Sequence, residues 1–273
     1  MLIVQLTDTH IKPKGRLAYN KVDTAAMLRA AVADIHQLPQ SPDLVVITGD
    51  LVDQGSHEEY EHLIEILSLM SQPKLVVPGN HDDRDVMQAV FSDLLVKPAP
   101  GYWQFSFQGI QWPIRVIGID TVDFGQSAGL LCNERLEWLK AELEKDQHTP
   151  TLIMMHHPPF ITGIGHMDEI GLKGREEFAG IVKSHPNIEL ITCGHLHRNI
   201  RATVGGRAVM TGHSTAHSVQ LDLAPDAEAM FKMEPPGYLL HLWNGEGIVT
   251  HHAVIGDFEG PHPFFNDKGQ LIM

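Results

Sequence analysis

Five short apolar runs in this chain each stop at polar residues able to hold a metal ion or carry a proton, and this repetition restricts the fold more than any other feature. Leu2 to Leu6 leads to Asp8 and His10, Leu44 to Ile47 to Thr48-Gly49-Asp50, and Lys74 to Val77 to Pro78-Gly79-Asn80-His81-Asp82. Thr151 to Met155 leads to His156-His157-Pro158-Pro159, and Ile188 to Thr192 to Cys193-Gly194-His195-Leu196-His197. Short, mostly apolar runs without clean alternation suit strands buried on both faces. Parallel strands align their carboxyl ends, so groups far apart in sequence converge on one edge. Glycine immediately before Asp50, Asn80 and His195 lets the backbone come close to a ligand there.

Helical periodicity fills the intervals. Asp23 to Leu38, with Asp23 as N-cap, Glu58 to Met70, Asn133 to Lys145 and a segment ending near His185 read as amphipathic helices, and Asp83 to Leu95 as a short one, capped by Asp82 or Asp83. Strand-loop-helix alternation predicts βαβ units, hence an α/β fold. After the break from Pro98 to Gly101, Tyr102 to Phe107 and Ile114 to Ile119 suggest an antiparallel meander. Ile161 to Gly174 reads as a polar, glycine-containing loop. From Arg198 onward, Ala208 to Met210, Ser218 to Leu223 and Tyr238 to Trp243 read as a second sheet. With no internal repeat or linker, residues 1–273 are expected to form one domain. The strands after Tyr238 and the tail Gly260-Pro261-His262-Pro263-Phe264-Phe265 suit a homodimer or larger assembly, through about residues 238–273.

A formal charge of −14 argues against a nucleic-acid polymer or an anionic membrane as main partner. A small anionic substrate remains compatible, because bound cations reverse the local field. Eighteen histidines against 20 Lys plus Arg point to metals and proton transfer. Cys132 and Cys193 fit no metal or redox spacing and read as buried thiols of a reducing compartment. The N-terminus lacks a signal-peptide pattern and no apolar run reaches the ~20 residues of a membrane helix, so a cytoplasmic location is expected.

Asp8, His10, Asp50, Asn80, His156, His195 and His197 supply two carboxylates, an amide oxygen and four imidazoles. This oxygen/nitrogen set suits Mn, Fe, Co or Zn rather than Ca or an iron-sulfur cluster. Seven donors exceed one tetrahedral ion, but two ions sharing Asp50 would have four each. A pair roughly 3.5 to 4 Å apart is the arrangement that attacks phosphate esters in line.

Asp8-Thr9-His10, Gly49-Asp50-Leu51-Val52-Asp53-Gln54-Gly55, Gly79-Asn80-His81-Asp82, His156 and Gly194-His195-Leu196-His197 together resemble, in order, the motif series of the calcineurin-like metallophosphoesterases. The resemblance implies a four-layer sandwich, two mixed β-sheets flanked by helices. It places one metal on Asp8, His10, Asp50 and His197 and the other on Asp50, Asn80, His156 and His195, with a metal-bound hydroxide as nucleophile. His81 would contact the phosphate or protonate the leaving alkoxide. The nearest likeness is to the class III cyclic-nucleotide phosphodiesterase and glycerophosphodiesterase branch. There the His217 region resembles a substrate-contacting loop, and Asn80, His81 and His195 also face the substrate. Gln54 stands where the protein phosphatases of this superfamily carry arginine, which disfavours their activity, and Asp82 is shorter than their usual glutamate.

The implied function is therefore hydrolysis of a small phosphodiester, a cyclic nucleotide or glycerophosphodiester. A phosphomonoesterase and a non-catalytic interaction scaffold are the competing readings. His157 points away from its neighbour in extended chain, so a structural role is expected. Asp53 is expected to brace its loop or a histidine. His36, His57, His62, His148, His185, His251 and His252 are expected on the solvated surface.

Overall fold

The protein is represented by a computed structural model that describes residues 1–91, 96, 98, 99 and 101–272. The first half alternates as expected: β1 (Leu2–Leu6), α1 (Thr24–His36), β2 (Leu44–Thr48), α2 (His57–Leu67), β3 (Lys74–Val77) and α3 (Arg84–Val90). There follow β4 (Phe105–Phe107), β5 (Arg115–Gly118), β6 (Gly129–Leu130), α4 (Asn133–Lys145), β7 (Thr151–Met154), α5 (Gly165–Glu169), β8 (Leu172–Lys173), α6 (Arg175–Ser184) and β9 (Ile188–Cys193). The last third is β10 (Arg201–Val204), β11 (Arg207–Thr211), β12 (Ser218–Val219), β13 (Phe231–Lys232), β14 (Gly237–Trp243) and β15 (Ile248–Val254).

Helix starts follow local chemistry. The Asp23 carboxylate accepts from the Ala26 N–H, and Ser56 with Glu59 closes a capping box on α2. Asp83, not Asp82, caps α3, accepting from the N–H groups of Asp85 and Val86. The expected continuation of α3 over 92–95 lies outside the described residues.

Two mixed sheets result. One has the order β15-β14-β1-β2-β3, the other β10-β11-β9-β7-β5-β4. β1, β2 and β3 are parallel, in register Val4 with Val45 and Val46 with Leu75. β5, β7, β9 and β11 are likewise parallel, with Ile153 opposite Ile191. Period-two alternation sorts the second sheet's faces: Val116, Leu152, Met154 and Leu190 join the core of the first sheet, which also takes in Leu28, Ile35, Leu63 and Ile66 from α1 and α2. Ile117, Ile153, Ile191 and Cys193 face the other way, onto Leu139 and Leu143 of α4 and Phe178 and Val182 of α6. Helices, sheet, sheet and helices thus form four layers, and each fully buried Leu or Ile contributes roughly 1.5–3 kcal/mol.

The strands after Arg198 do not form one second sheet; among them only β12 and β13 pair apart from the two main sheets. β10 and β11 extend the second sheet from β9, whereas β14 pairs antiparallel with β1 and carries β15 on the first. The run expected from Ser218 to Leu223 is a strand only at Ser218–Val219, paired with β13. Local patterning marks a strand but not its neighbour, and β14 is drawn to β1 because that edge of the parallel sheet would otherwise be bare. Among the described residues, no helix is long and apolar enough to cross a membrane.

Candidate active site

Three of the apolar runs end in the first sheet and two in the second, and the residues that follow them meet where the two sheets' carboxyl ends face each other. Asp8, His10, Asp50 and His197 form one buried group whose potential ligand atoms lie within 4.8 Å of one another. The Nε2 atoms of His10 and His197 are 3.1 Å apart, His197 Nε2 is 3.5 Å from Asp8 Oδ1, and His10 Nε2 is 3.6 Å from Asp50 Oδ2. The same Asp50 Oδ2 lies 3.4 Å from His156 Nε2, which is 3.3 Å from Asn80 Oδ1. The His195 ring is 5.1 Å from that of His156. Asp50 therefore stands between two donor sets, and all seven expected ligands are together.

The arrangement fits bound cations. Donors sharing an ion at 2.0–2.2 Å are separated by roughly 3.0–3.6 Å, the range of these contacts. His195 Nε2 and His217 Nδ1 are buried without a hydrogen-bond partner, a costly state unless something binds them. Among the described residues seven non-glycine positions have positive φ, and five are Asp8, His10, Asp50, His195 and His197. Left-handed backbone is uncommon for any non-glycine residue, although Asp and His tolerate it better than most, and its concentration on candidate ligands marks a functional site.

The backbone enforces this closeness. A Cβ on Gly49, at φ +88°, would sit 2.5 Å from His156 Nδ1, and one on Gly79 would collide with Asp50 Oδ1. Second contacts orient the ligands. His156 Nδ1 meets the Thr48 carbonyl at 2.8 Å, His197 Nδ1 the His217 carbonyl at 3.1 Å, and the His195 N–H donates to Asp8 Oδ1 at 2.9 Å. A carbonyl only accepts, so Nδ1 carries the proton in both rings and Nε2 is left as the donor atom for a metal.

Burial and charge set the protonation states. Burial alone would raise Asp50, but His156 and His81 hold it well below the usual carboxylate range. Burial depresses His156, yet Asp50 and Asp8 outweigh it and push the imidazole up to about 9. Burial, aided by His156, lowers His195 to about 3, and burial with His10 holds His197 well below its ordinary value. His195 and His197 are thus neutral, the form that binds transition metals, whereas His156 and His10, raised by the neighbouring carboxylates, must give up a proton when an ion binds.

His81 and His217 line the same cavity, of about 310 Å³. His81 Nδ1 meets the Asp53 carbonyl at 2.7 Å, and its N–H donates to Asp50 Oδ1. Asp53 itself takes Lys12 Nζ at 2.7 Å and faces His10 Nδ1 at 3.5 Å, the contacts of a brace. His157 lies beside His156 and His195, but its Nδ1 engages Thr121 Oγ1 at 2.8 Å and its Nε2 the Ser127 carbonyl at 3.1 Å, so both nitrogens are taken. Two histidines expected on the surface are buried: His62 binds the Lys12 carbonyl and His185 the Ile181 carbonyl. His62 lies three residues after Glu59 and four before Ile66 on the buried face of α2, a spacing that could have flagged it.

Sequence reasoning missed several contributors. Asp82 accepts from the N–H groups of Leu51, Val52 and Gly79 and from the Tyr60 hydroxyl, so it ties the loop after β2 to the loop after β3. Gln5, a lone amide in an apolar strand, donates to Thr48 Oγ1 and the Cys193 carbonyl, each at 2.8 Å. Tyr19, Met230 and Phe231 line the cavity without any local sequence signal.

A family model described as calcineurin-like phosphoesterase matches residues 1–199. Over the whole of both chains, the protein is 42% identical to a relative from Arcobacter nitrofigilis named "Probable glycerophosphodiester phosphodiesterase GpdQ". It is 30% identical to the 3′,5′-cyclic adenosine monophosphate phosphodiesterase CpdA of Escherichia coli K12, over 78% of this chain and 75% of that one. A dimetal phosphatase from Danio rerio shares the fold, with a TM-score of 0.63 at 17% identity over 94% of this chain and 99% of that one. The motif order, the four-layer fold and these matches agree: the chain belongs to the calcineurin-like phosphoesterase family.

Proposed function

We propose that this protein is a metal-dependent phosphodiesterase acting on a small diester, a glycerophosphodiester or a cyclic nucleotide. The observation that carries the reading is Asp50 Oδ2, placed within 3.6 Å of His10 Nε2 and 3.4 Å of His156 Nε2, where one carboxylate serves two donor sets. Asp8, His10, Asp50 and His197 would hold one ion, and Asp50, Asn80, His156 and His195 the other, drawn from Mn, Fe, Co or Zn. When bound, two such dications polarise phosphoryl oxygens and make a water acidic enough to attack phosphorus at neutral pH.

The remaining steps belong to side chains. His81 Nδ1–H is committed to the Asp53 carbonyl, so Nε2 is the nitrogen that faces a substrate. It accepts a hydrogen bond when neutral, and as imidazolium it donates its proton to the departing alkoxide. His217, lowered to about 4 by burial and by His10, stays neutral and offers a hydrogen bond to a phosphoryl oxygen through one ring nitrogen. Asn80 supplies an oxygen without charge, which keeps the site less negative than a third carboxylate would. Asp82 and Asp53 fix the loops that carry these groups.

The names of the relatives from Arcobacter nitrofigilis and Escherichia coli support diester substrates of these two kinds. A substrate panel on metal-reconstituted protein tests the reading through kcat/KM for a glycerophosphodiester, a 3′,5′-cyclic nucleotide and matched aryl mono- and diesters. Hydrolysis of the aryl diester faster than its monoester is expected. A preference for the monoester would replace this reading with a phosphomonoesterase.

A further inference from the structure

Above its floor of histidines the cavity is walled by apolar side chains from two elements. Met167 belongs to α5 and Ile170 to the turn after it, while Val219, Met230 and Phe231 belong to the β12–β13 hairpin. Away from the floor, the polar side chains among the described lining residues are Tyr19, Ser127 and His166. The wall is braced from behind. Met167 packs with Ile164 and Leu196, with Ile170 and Val219 against them, and Phe231 packs against Ala18, Val22 and Ala216.

Its front is aromatic and partly wet. The Phe231 ring stacks on Tyr19 at 5.0 Å and 28° and meets His217 edge-on at 5.4 Å. Met230 beside it is 51% exposed. His217 in turn lies 4.6 Å from the candidate ligand His197, so this apolar surface begins one ring away from the proposed phosphate position. Apolar groups held in water next to a reaction centre gain free energy when a ligand covers them, and both methionine sulfur and aromatic faces pack well on a flat ring.

We propose that this wall binds the ester group of the diester that is retained through the reaction, and that it favours an aromatic ring there, a nucleobase or an aryl group, over a small aliphatic or polyol group. The proposal rests on the phosphodiesterase reading and adds the chemistry of the group beyond phosphorus. An apolar wall rewards apolar area but rejects an added hydroxyl only weakly, so polyol esters remain substrates of lower kcat/KM. Glycerophosphodiesters and nucleotides are then ranked by one surface rather than separated by two.

The test uses metal-reconstituted protein and three diesters with the same 4-nitrophenolate leaving group, whose retained groups are methyl, phenyl and thymidine 5′-yl. A kcat/KM for phenyl or thymidine exceeding that for methyl by roughly ten-fold or more is expected, and the larger ratio names the source of the ring. That ratio should fall toward one in Met230→Ala and in Phe231→Ala, chiefly through KM, and be partly kept in Phe231→Leu. Because each variant is read as a ratio between substrates, partial loss of folded protein does not affect the outcome. Hydrolysis of all three with ratios within two-fold of one, unchanged in the variants, would overturn the wall and leave the phosphodiesterase reading standing. No hydrolysis of any of them would overturn that reading and this proposal with it.

Discussion

Replacing Gln5 by leucine perturbs the junction between the two sheets without touching a candidate ligand. Gln5 is 1% exposed, and all its hydrogen-bonding capacity is engaged. Nε2 donates to Thr48 Oγ1 and the Cys193 carbonyl, while Oε1 accepts from Thr192 Oγ1 and faces His241 Nε2 at 3.2 Å. Since Oε1 can only accept, His241 carries its proton on Nε2, and its Nδ1 takes the Thr250 hydroxyl at 2.9 Å. Thr48 lies two residues before Asp50 and Cys193 two before His195, so one amide sets the spacing of two candidate ligand loops. Leucine has nearly the same volume but leaves three buried groups, Thr48 Oγ1, Thr192 Oγ1 and His241 Nε2, without their partner, while the Cys193 carbonyl keeps the Gly212 N–H. At about 1–3 kcal/mol for each orphaned group, and with some relaxation, Gln5→Leu should cost about 3–6 kcal/mol. In a chain of this size that is a fall in Tm of about 10 °C, measured by calorimetry on metal-free protein. Adding His241→Phe should recover part of the loss, because the imidazole then no longer lacks its acceptor. A Tm within 2 °C of wild type, or a double variant worse than the sum of the singles, would refute this account of the junction.

Gly49→Ala puts a methyl group against His156 Nδ1 at a φ of +88°, so it should weaken binding of cobalt(II), followed by its visible spectrum, by at least ten-fold; unchanged affinity would contradict the crowding. Burial lowers His241 to about 3, below the unfolded value of 6.5, so its contribution to stability is complete above pH 6.5 and is lost as pH falls toward 3. Between pH 7.5 and 5, denaturant unfolding should therefore show about 2 kcal/mol less loss in His241→Gln than in wild type. Phe258, Phe264, Phe265, Leu271 and Ile272 are exposed near the C-terminus, and a homodimer or larger species is expected by light scattering at micromolar concentration; a monomer would count against that use of the tail.

What could be read from the chain depended on whether the signal was local. Asp8, Asp50 and Asn80 were legible as one set and His156 and His195 as another, because each follows an apolar run and parallel strands of one sheet share an edge; that the two sheets bring both sets together depends on how they pack. The helix of Asn133–Lys145 was legible to the residue from its leucine spacing. Partner choice was not. Nothing within Tyr238 to Trp243 says that it lies beside Leu2 to Leu6, some 230 residues away, rather than beside Ala208. Gln5 and His241 were hidden for the same reason, since each looks like an isolated polar residue until the other sheet is in place. The left-handed backbone at Asp8, His10, Asp50, His195 and His197 was likewise invisible, because it is imposed by the convergence itself. His62 and His185 show the limit of composition, as a polar residue is buried wherever a carbonyl waits for it.

The central claim is that Asp50 joins two metal sites, and metal stoichiometry tests it most directly. Metal-free protein titrated with manganese(II), with bound ion and hydrolysis of an aryl phosphodiester followed on the same samples, should take up two equivalents per chain. Activity should rise with the second, and Asp50→Asn should lose both tight uptake and turnover. Saturation below one equivalent, or wild-type turnover in Asp50→Asn, would contradict the account.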